Sequence, residues 1–78
     1  MPKQILSPLP GTFYRKSAPG QSDYKKVGDM VAVGDVIGLI EVMKSFNEVK
    51  SEVAGKIVTF VADNEEPVMA GQLLAELA

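Results

Sequence analysis

The sequence contains no cysteine and no histidine. A chain of 78 residues therefore has neither disulfides nor ordinary zinc sites to staple it, and an apolar core must hold it together. The same absences remove every Ser-His-Asp or Cys-His constellation and all imidazole acid–base chemistry. An enzyme acting alone is not expected, and neither is a resident metal. Lysine and arginine total 8 against 10 aspartates and glutamates, for a formal charge of −2. A nucleic-acid partner, whose phosphates need a basic face, is therefore not expected, and the local basic group of Arg15, Lys16, Lys25 and Lys26 reads as a solvated loop. No apolar run approaches the roughly 20 residues of a membrane-spanning helix, and no signal peptide precedes the domain, so a cytoplasmic location off the membrane is expected.

Hydrophobic residues make up 46% of the chain, with Val, Ile and Leu dominant, a composition that favours strands. Residues 1–4 read as a flexible polar lead and residues 5–78 as one domain. Ile5–Ser7 and Gly11–Tyr14 read as the first two strands, interrupted by Pro8 and Pro10. Composition then turns polar and aperiodic over Arg15–Asp23, RKSAPGQSD, a protruding loop shaped by Pro19 and Gly20. Turns at Gly28-Asp29 and Gly34-Asp35 lead to Val36–Val42, apolar on both faces and so expected at the centre of a covered sheet. Phe46–Val53, Lys56–Val61, Pro67–Ala70 and Leu73–Leu77 complete the strands, with Gly55 read as part of a turn. No stretch has a helical period.

The two halves repeat one another. Ser7-Pro-Leu-Pro-Gly11 matches Ser51-Glu-Val-Ala-Gly55, and Val31-Ala-Val-Gly34 matches Val68-Met-Ala-Gly71. The first half carries seven extra residues, and they fall in the Arg15–Asp23 loop. The pattern predicts an all-β fold: a flattened eight-stranded barrel-sandwich hybrid of two pseudo-twofold-related four-strand halves. Lys44 lies at the tip of the hairpin between them, which places it on the pseudo-twofold axis.

That tip breaks a local rule. Two-residue hairpin turns need positive φ, hence their Asn-Gly and Gly-X preference, yet Met43 and Lys44 occupy this one. A turn that ignores its own chemistry is often retained for function. The plainer reading is a solvated lysine with Met43 capping the barrel end.

The Glu41-Val-Met-Lys44 tetrad on a hairpin, the downstream Ala54-Gly55, the repeated V-x-x-G turns and the opening SPLPGTFYR together resemble the biotinyl domain of biotin carboxyl carrier proteins of acetyl-CoA carboxylase. The likeness spans Ile5–Leu77. Arg15–Asp23 is similar in place and length to the loop called the thumb in bacterial carriers, which lipoyl domains lack. The chain departs from the family at Val42, usually Ala, at Ser45, usually Met, and at Lys16, where bacterial carriers have a threonine that contacts the biotin ring.

The resemblance implies that a biotin protein ligase joins biotin to Lys44 through an amide. The loaded arm would then carry a carboxyl group from a biotin carboxylase to a carboxyltransferase. Met43 would set the turn shape that the ligase reads, Glu41 would serve either ligase recognition or simple solubility, and Lys16 of the thumb would lie near the biotin. On this view the chain is a non-catalytic carrier subunit. The alternatives are a lipoyl carrier of an oxoacid dehydrogenase or glycine cleavage system, and an unmodified binding module.

Overall fold

The structure is a computed structural model that describes residues 3–18 and 20–78. Eight strands follow in order: β1 (Lys3–Leu6), β2 (Gly11–Tyr14), β3 (Met30–Val31), β4 (Val36–Val42), β5 (Ser45–Lys50), β6 (Gly55–Phe60), β7 (Glu66–Val68) and β8 (Leu73–Leu77). Among the described residues there is no helix. The lead expected at residues 1–4 lies partly outside the described residues, but Lys3 and Gln4 already belong to β1. They pair with Leu77 and Glu76 of β8. Pro19, expected to shape the loop, is also outside.

The strands form two antiparallel four-stranded sheets, ordered β1-β8-β6-β3 and β5-β4-β2-β7. Adding four to each strand number of the first sheet, and counting round from eight to one, turns it into the second. That is the pseudo-twofold the repeat predicts, and it extends to single hydrogen bonds. Gly34 N donates to Ser51 O at 2.8 Å and Gly71 N to Ser7 O at 2.7 Å, with Gly34 and Gly71 at φ 93° and 82°. A residue with a Cβ is strained in that region, which explains the glycine in both copies.

The same operation corrects the expected position of Lys44. It carries the β4–β5 hairpin onto β8 and β1, which bear the chain ends, so Lys44 is off the axis. The axis passes instead between edge strands β1 and β5, through a groove of about 280 Å³ lined by the repeat mates Ile5 and Val49, Leu6 and Lys50, Pro8 and Glu52. The midpoint of a repeat in sequence marks a spatial axis only when the linker closes on itself, and this hairpin projects outward.

The core holds Phe13, Ile37, Ile40, Val49, Ile57, Leu74 and Leu77, all essentially inaccessible. Each such side chain contributes about 1.5–3 kcal/mol by leaving water. Central strand β4 is buried from Ile37 to Ile40, as its two-faced apolar pattern predicts. Ile37 and Ile40 both reach the core although three residues apart, because the register with β5 shifts between Val36 and Gly38 and so changes which face a side chain meets. Gly38 also has to be glycine: a Cβ there would sit 2.5 Å from the Phe13 ring and 2.7 Å from the Tyr14 carbonyl. Gly55, in contrast, is not a turn residue. It opens β6, and a Cβ there would run into the Ala78 carbonyl. Pro67 sits in β7, an edge strand, where its missing N–H costs no ladder bond.

Candidate functional site at the β4–β5 hairpin

β4 and β5 stay paired up to Val42 and Ser45, which leaves Met43 and Lys44 as a two-residue turn. Their φ angles are 49° and 67°, so both are left-handed, the type I′ geometry that matches the twist of the strands. For residues bearing a Cβ this conformation costs about 1–2 kcal/mol each. The unfavourable turn residues therefore do adopt the left-handed turn. Met43 is 95% exposed, so it stands out in solvent and does not cap the barrel end. Lys44 is exposed beside it. Behind them the Asn47 side-chain amide donates to the carbonyls of Ile40 and Ser45, both at 3.3 Å, and ties the two legs together. Val42 leans against the core as a partly buried side chain.

Glu41 sits differently from what its exposed-looking context suggests. The Tyr14 hydroxyl donates to its Oε1 at 2.9 Å, and this bond pushes the phenol above its ordinary pKa of 10.0, with burial and the nearby charges of Glu41 and Glu65 acting the same way. The Tyr14 ring lies 5.9 Å from that of Phe46 at 57°. Phe46 is in turn the partner of Glu41 across the β4–β5 ladder. The carboxylate of the tetrad is thus held against the barrel wall.

The thumb leaves β2 at Tyr14 and is closed by a bridge between Lys16 and Asp23 and by the Tyr24 N–H donating to the Arg15 carbonyl at 2.9 Å. Arg15 anchors its root. Its guanidinium pairs with Asp23 at 3.3 Å and lies 4.0 Å over the Phe60 ring, and its backbone N–H donates to Asn64 Oδ1 at 2.8 Å. Between thumb and hairpin lies a cleft of about 600 Å³, walled by Lys16, Ser17, Ala18 and Gly20 on one side and by Tyr14, Phe46, Asn64 and Glu65 on the other. Glu65 is the third non-glycine residue with positive φ among those described, at 66°, and its N–H donates to the Phe13 carbonyl at 2.6 Å. All three left-handed non-glycine residues thus belong to the tip or to the cleft beside it, and such strain collects at functional sites.

Of the residues singled out from sequence, Met43 and Lys44 form the tip, Glu41 supports it, and Lys16 lines the cleft. Tyr14, Phe46, Asn64 and Glu65 were missed. Tyr14 carried a signal, since a tyrosine directly before a polar loop can reach outward, but its partner could not be named without the register.

The sequence model of the family described as Biotin-requiring enzyme, which gathers biotin and lipoyl attachment domains, matches residues 3–77. Among curated relatives, the biotin carboxyl carrier protein of acetyl-CoA carboxylase from Nostoc sp. is 38% identical over 74 residues, covering 95% of this chain and 41% of that protein. A chloroplastic carrier from Arabidopsis thaliana is 45% identical over 64 residues, covering 82% of this chain and 23% of that one. The carrier from Pseudomonas aeruginosa is 37% identical over 70 residues, 90% of this chain and 45% of the relative. The chain thus spans less than half the length of these relatives. Among solved structures, urea carboxylase of Kluyveromyces lactis superposes with a TM-score of 0.79 at 29% identity, over all of this chain and 6% of that one. No helix among the described residues is long and apolar enough to cross a membrane. With a left-handed hairpin presenting a lysine at one end of a two-sheet barrel, and a match from end to end, this chain belongs to the biotin–lipoyl attachment family.

Proposed function

We propose that this chain is a biotin carboxyl carrier domain of an acetyl-CoA carboxylase-like system, with biotin amide-linked to Lys44. The observation that carries the reading is the exposed Lys44 amine on a left-handed turn beside the thumb cleft. For acylation the neutral amine attacks an activated carboxyl carbon, the bond from that carbon to its activating group breaks as the amide forms, and the nitrogen gives up a proton, so the amine has to enter another enzyme's site unobstructed. A turn lifted beyond the paired strands allows that entry. A biotin protein ligase is the partner for this step, and Met43, at 95% exposure, is the side chain it meets first.

The residues present fit biotin. The cleft offers apolar surface from Tyr14, Phe46 and Ala18 with polar groups from Lys16, Ser17, Asn64 and Glu65, suited to a small bicyclic group that has a polar edge. Lys44 would hold biotin covalently, and Lys16, on the thumb side of the cleft, would offer it a polar group. When bound, biotin supplies a ureido nitrogen that accepts and releases a carboxyl group. The chain itself brings no histidine or cysteine to that exchange, so it acts as a non-catalytic carrier subunit serving a biotin carboxylase and a carboxyltransferase. Lys44 on its stem keeps the group at high effective concentration between the two sites. We place the protein in the cytoplasm, off membranes and nucleic acid.

Intact-mass measurement after expression with biotin and a biotin ligase tests this. One biotinyl adduct is expected on the parent and none on Lys44→Ala. A lipoyl adduct instead, or no adduct, overturns the reading.

A further inference from the structure

Tyr14 is the last residue of β2, at the root of the thumb. Its side chain touches both legs of the hairpin. The hydroxyl donates to Glu41 on β4, three residues before Lys44, and the ring meets Phe46 on β5, two residues after it. Glu41 and Phe46 face each other in the ladder, and Thr12 with Glu41 is the last pair through which β2 supports β4. Beyond it only the Val42–Ser45 pair remains before the turn. β5 is an edge strand with β4 as its sole partner in the sheet, so Phe46 has no neighbouring strand on its outer side. A turn of two left-handed residues persists only where its surroundings over-determine it. The Asn47 amide ties the legs to each other, and the rigid Tyr14 side chain spans Glu41 and Phe46 from the neighbouring strand.

We propose that Tyr14 is a positioning residue for the modification of Lys44: by holding Glu41 and Phe46 together it presets the left-handed Met43–Lys44 turn that the modifying enzyme engages. The proposal rests on Lys44 being the acylated residue. It gives Glu41 a role different from direct contact with a partner, since its Oε1 accepts from Tyr14 and orders the turn from below. It also joins the thumb to the tip through the residue where the thumb begins. The hydroxyl is the part that matters, because Tyr14→Phe keeps the ring against Phe46 and frees Glu41.

With purified biotin ligase and varied carrier, Tyr14→Phe is expected to raise KM roughly three- to tenfold, the equivalent of one hydrogen bond of ordinary net strength, with kcat little changed. Glu41→Ala should do the same, and the double variant should be no worse than either single one. Tyr24→Phe, at a residue that does not line the cleft, should leave KM at the parent value. Independently of ligase activity, backbone amide relaxation should show Met43 and Lys44 more mobile in Tyr14→Phe than in the parent. An unchanged KM, additive single effects, or tip amides as ordered as in the parent overturns the positioning role. Failure of the parent to take biotin overturns the proposed function instead, and the relaxation comparison still decides whether Tyr14 orders the turn.

Discussion

Ser7 and Ser51 occupy the same place in the two halves of the barrel, each buried and each donating its hydroxyl to the carbonyl two residues on, Leu9 at 2.6 Å and Val53 at 2.5 Å. Their backbone N–H groups accept matching duties as well, donating to Gln72 O and Asp35 O at 2.8 and 2.9 Å. The serines close the loops that pass from one sheet to the other, so the twofold is maintained by buried polar contacts as well as by core packing.

Removing either hydroxyl leaves a partly buried carbonyl short of a donor. Ser7→Ala and Ser51→Ala are each expected to lower stability by about 1–2 kcal/mol, and by similar amounts because the environments match. Urea denaturation midpoints at constant m-value check this. A large inequality between the two would show that the halves differ in rigidity.

At the tip, replacing Met43-Lys44 by Asn-Gly supplies residues that accept positive φ. Stability should rise by about 1–2 kcal/mol as the left-handed strain is relieved. Attachment to the tip should be lost along with the lysine. Thermal unfolding of the double substitution, with intact mass after exposure to ligase, measures both.

The thumb stands outside the repeat, and the contacts of Arg15 with Asp23 and Tyr24 at its root flank the segment 16–22. Deleting residues 16–22 should leave a cooperative two-state transition, because the sheets and the core do not include them. The cleft should disappear, and any cofactor that shelters in it should become more exposed to water. Loss of cooperative unfolding would mean that the thumb is part of the fold.

Two groups predict how stability varies with pH. The Asp35 carboxylate accepts from the Ala32 N–H at 2.9 Å and pairs with Lys25 at 3.3 Å, and its pKa lies below the ordinary 3.8, the backbone hydrogen bond being the larger cause. A depressed carboxylate contributes stability that is present above the unfolded value and is lost as pH falls through the folded one. Unfolding midpoints should therefore drop as pH falls past 3.8, and less steeply in Asp35→Asn. Tyr14 has the opposite sign, since its phenol is held above 10.0. Its contribution is present below pH 10 and is lost as pH rises through the folded value. Tyr14→Phe should flatten that alkaline limb, as measured by denaturation at graded pH.

What the sequence determined by itself was the part written in local or repeated patterns. Strand periodicity, turn glycines at Gly34 and Gly71, the matched halves and the surplus at Arg15–Asp23 identify the barrel, the tip lysine and the thumb, since each depends on residues near one another in the chain. Tertiary structure decided the rest. That Met43 stands in solvent, that Lys44 is off the twofold, that Glu41 is held by Tyr14 and that Glu65 shares the left-handed strain of the tip all depend on register and on loops meeting across sheets. Tyr14 and Glu41 are 27 positions apart, and no pattern in the chain pairs them; only the β2–β4 ladder brings a phenol from the root of the thumb to the carboxylate below the lysine.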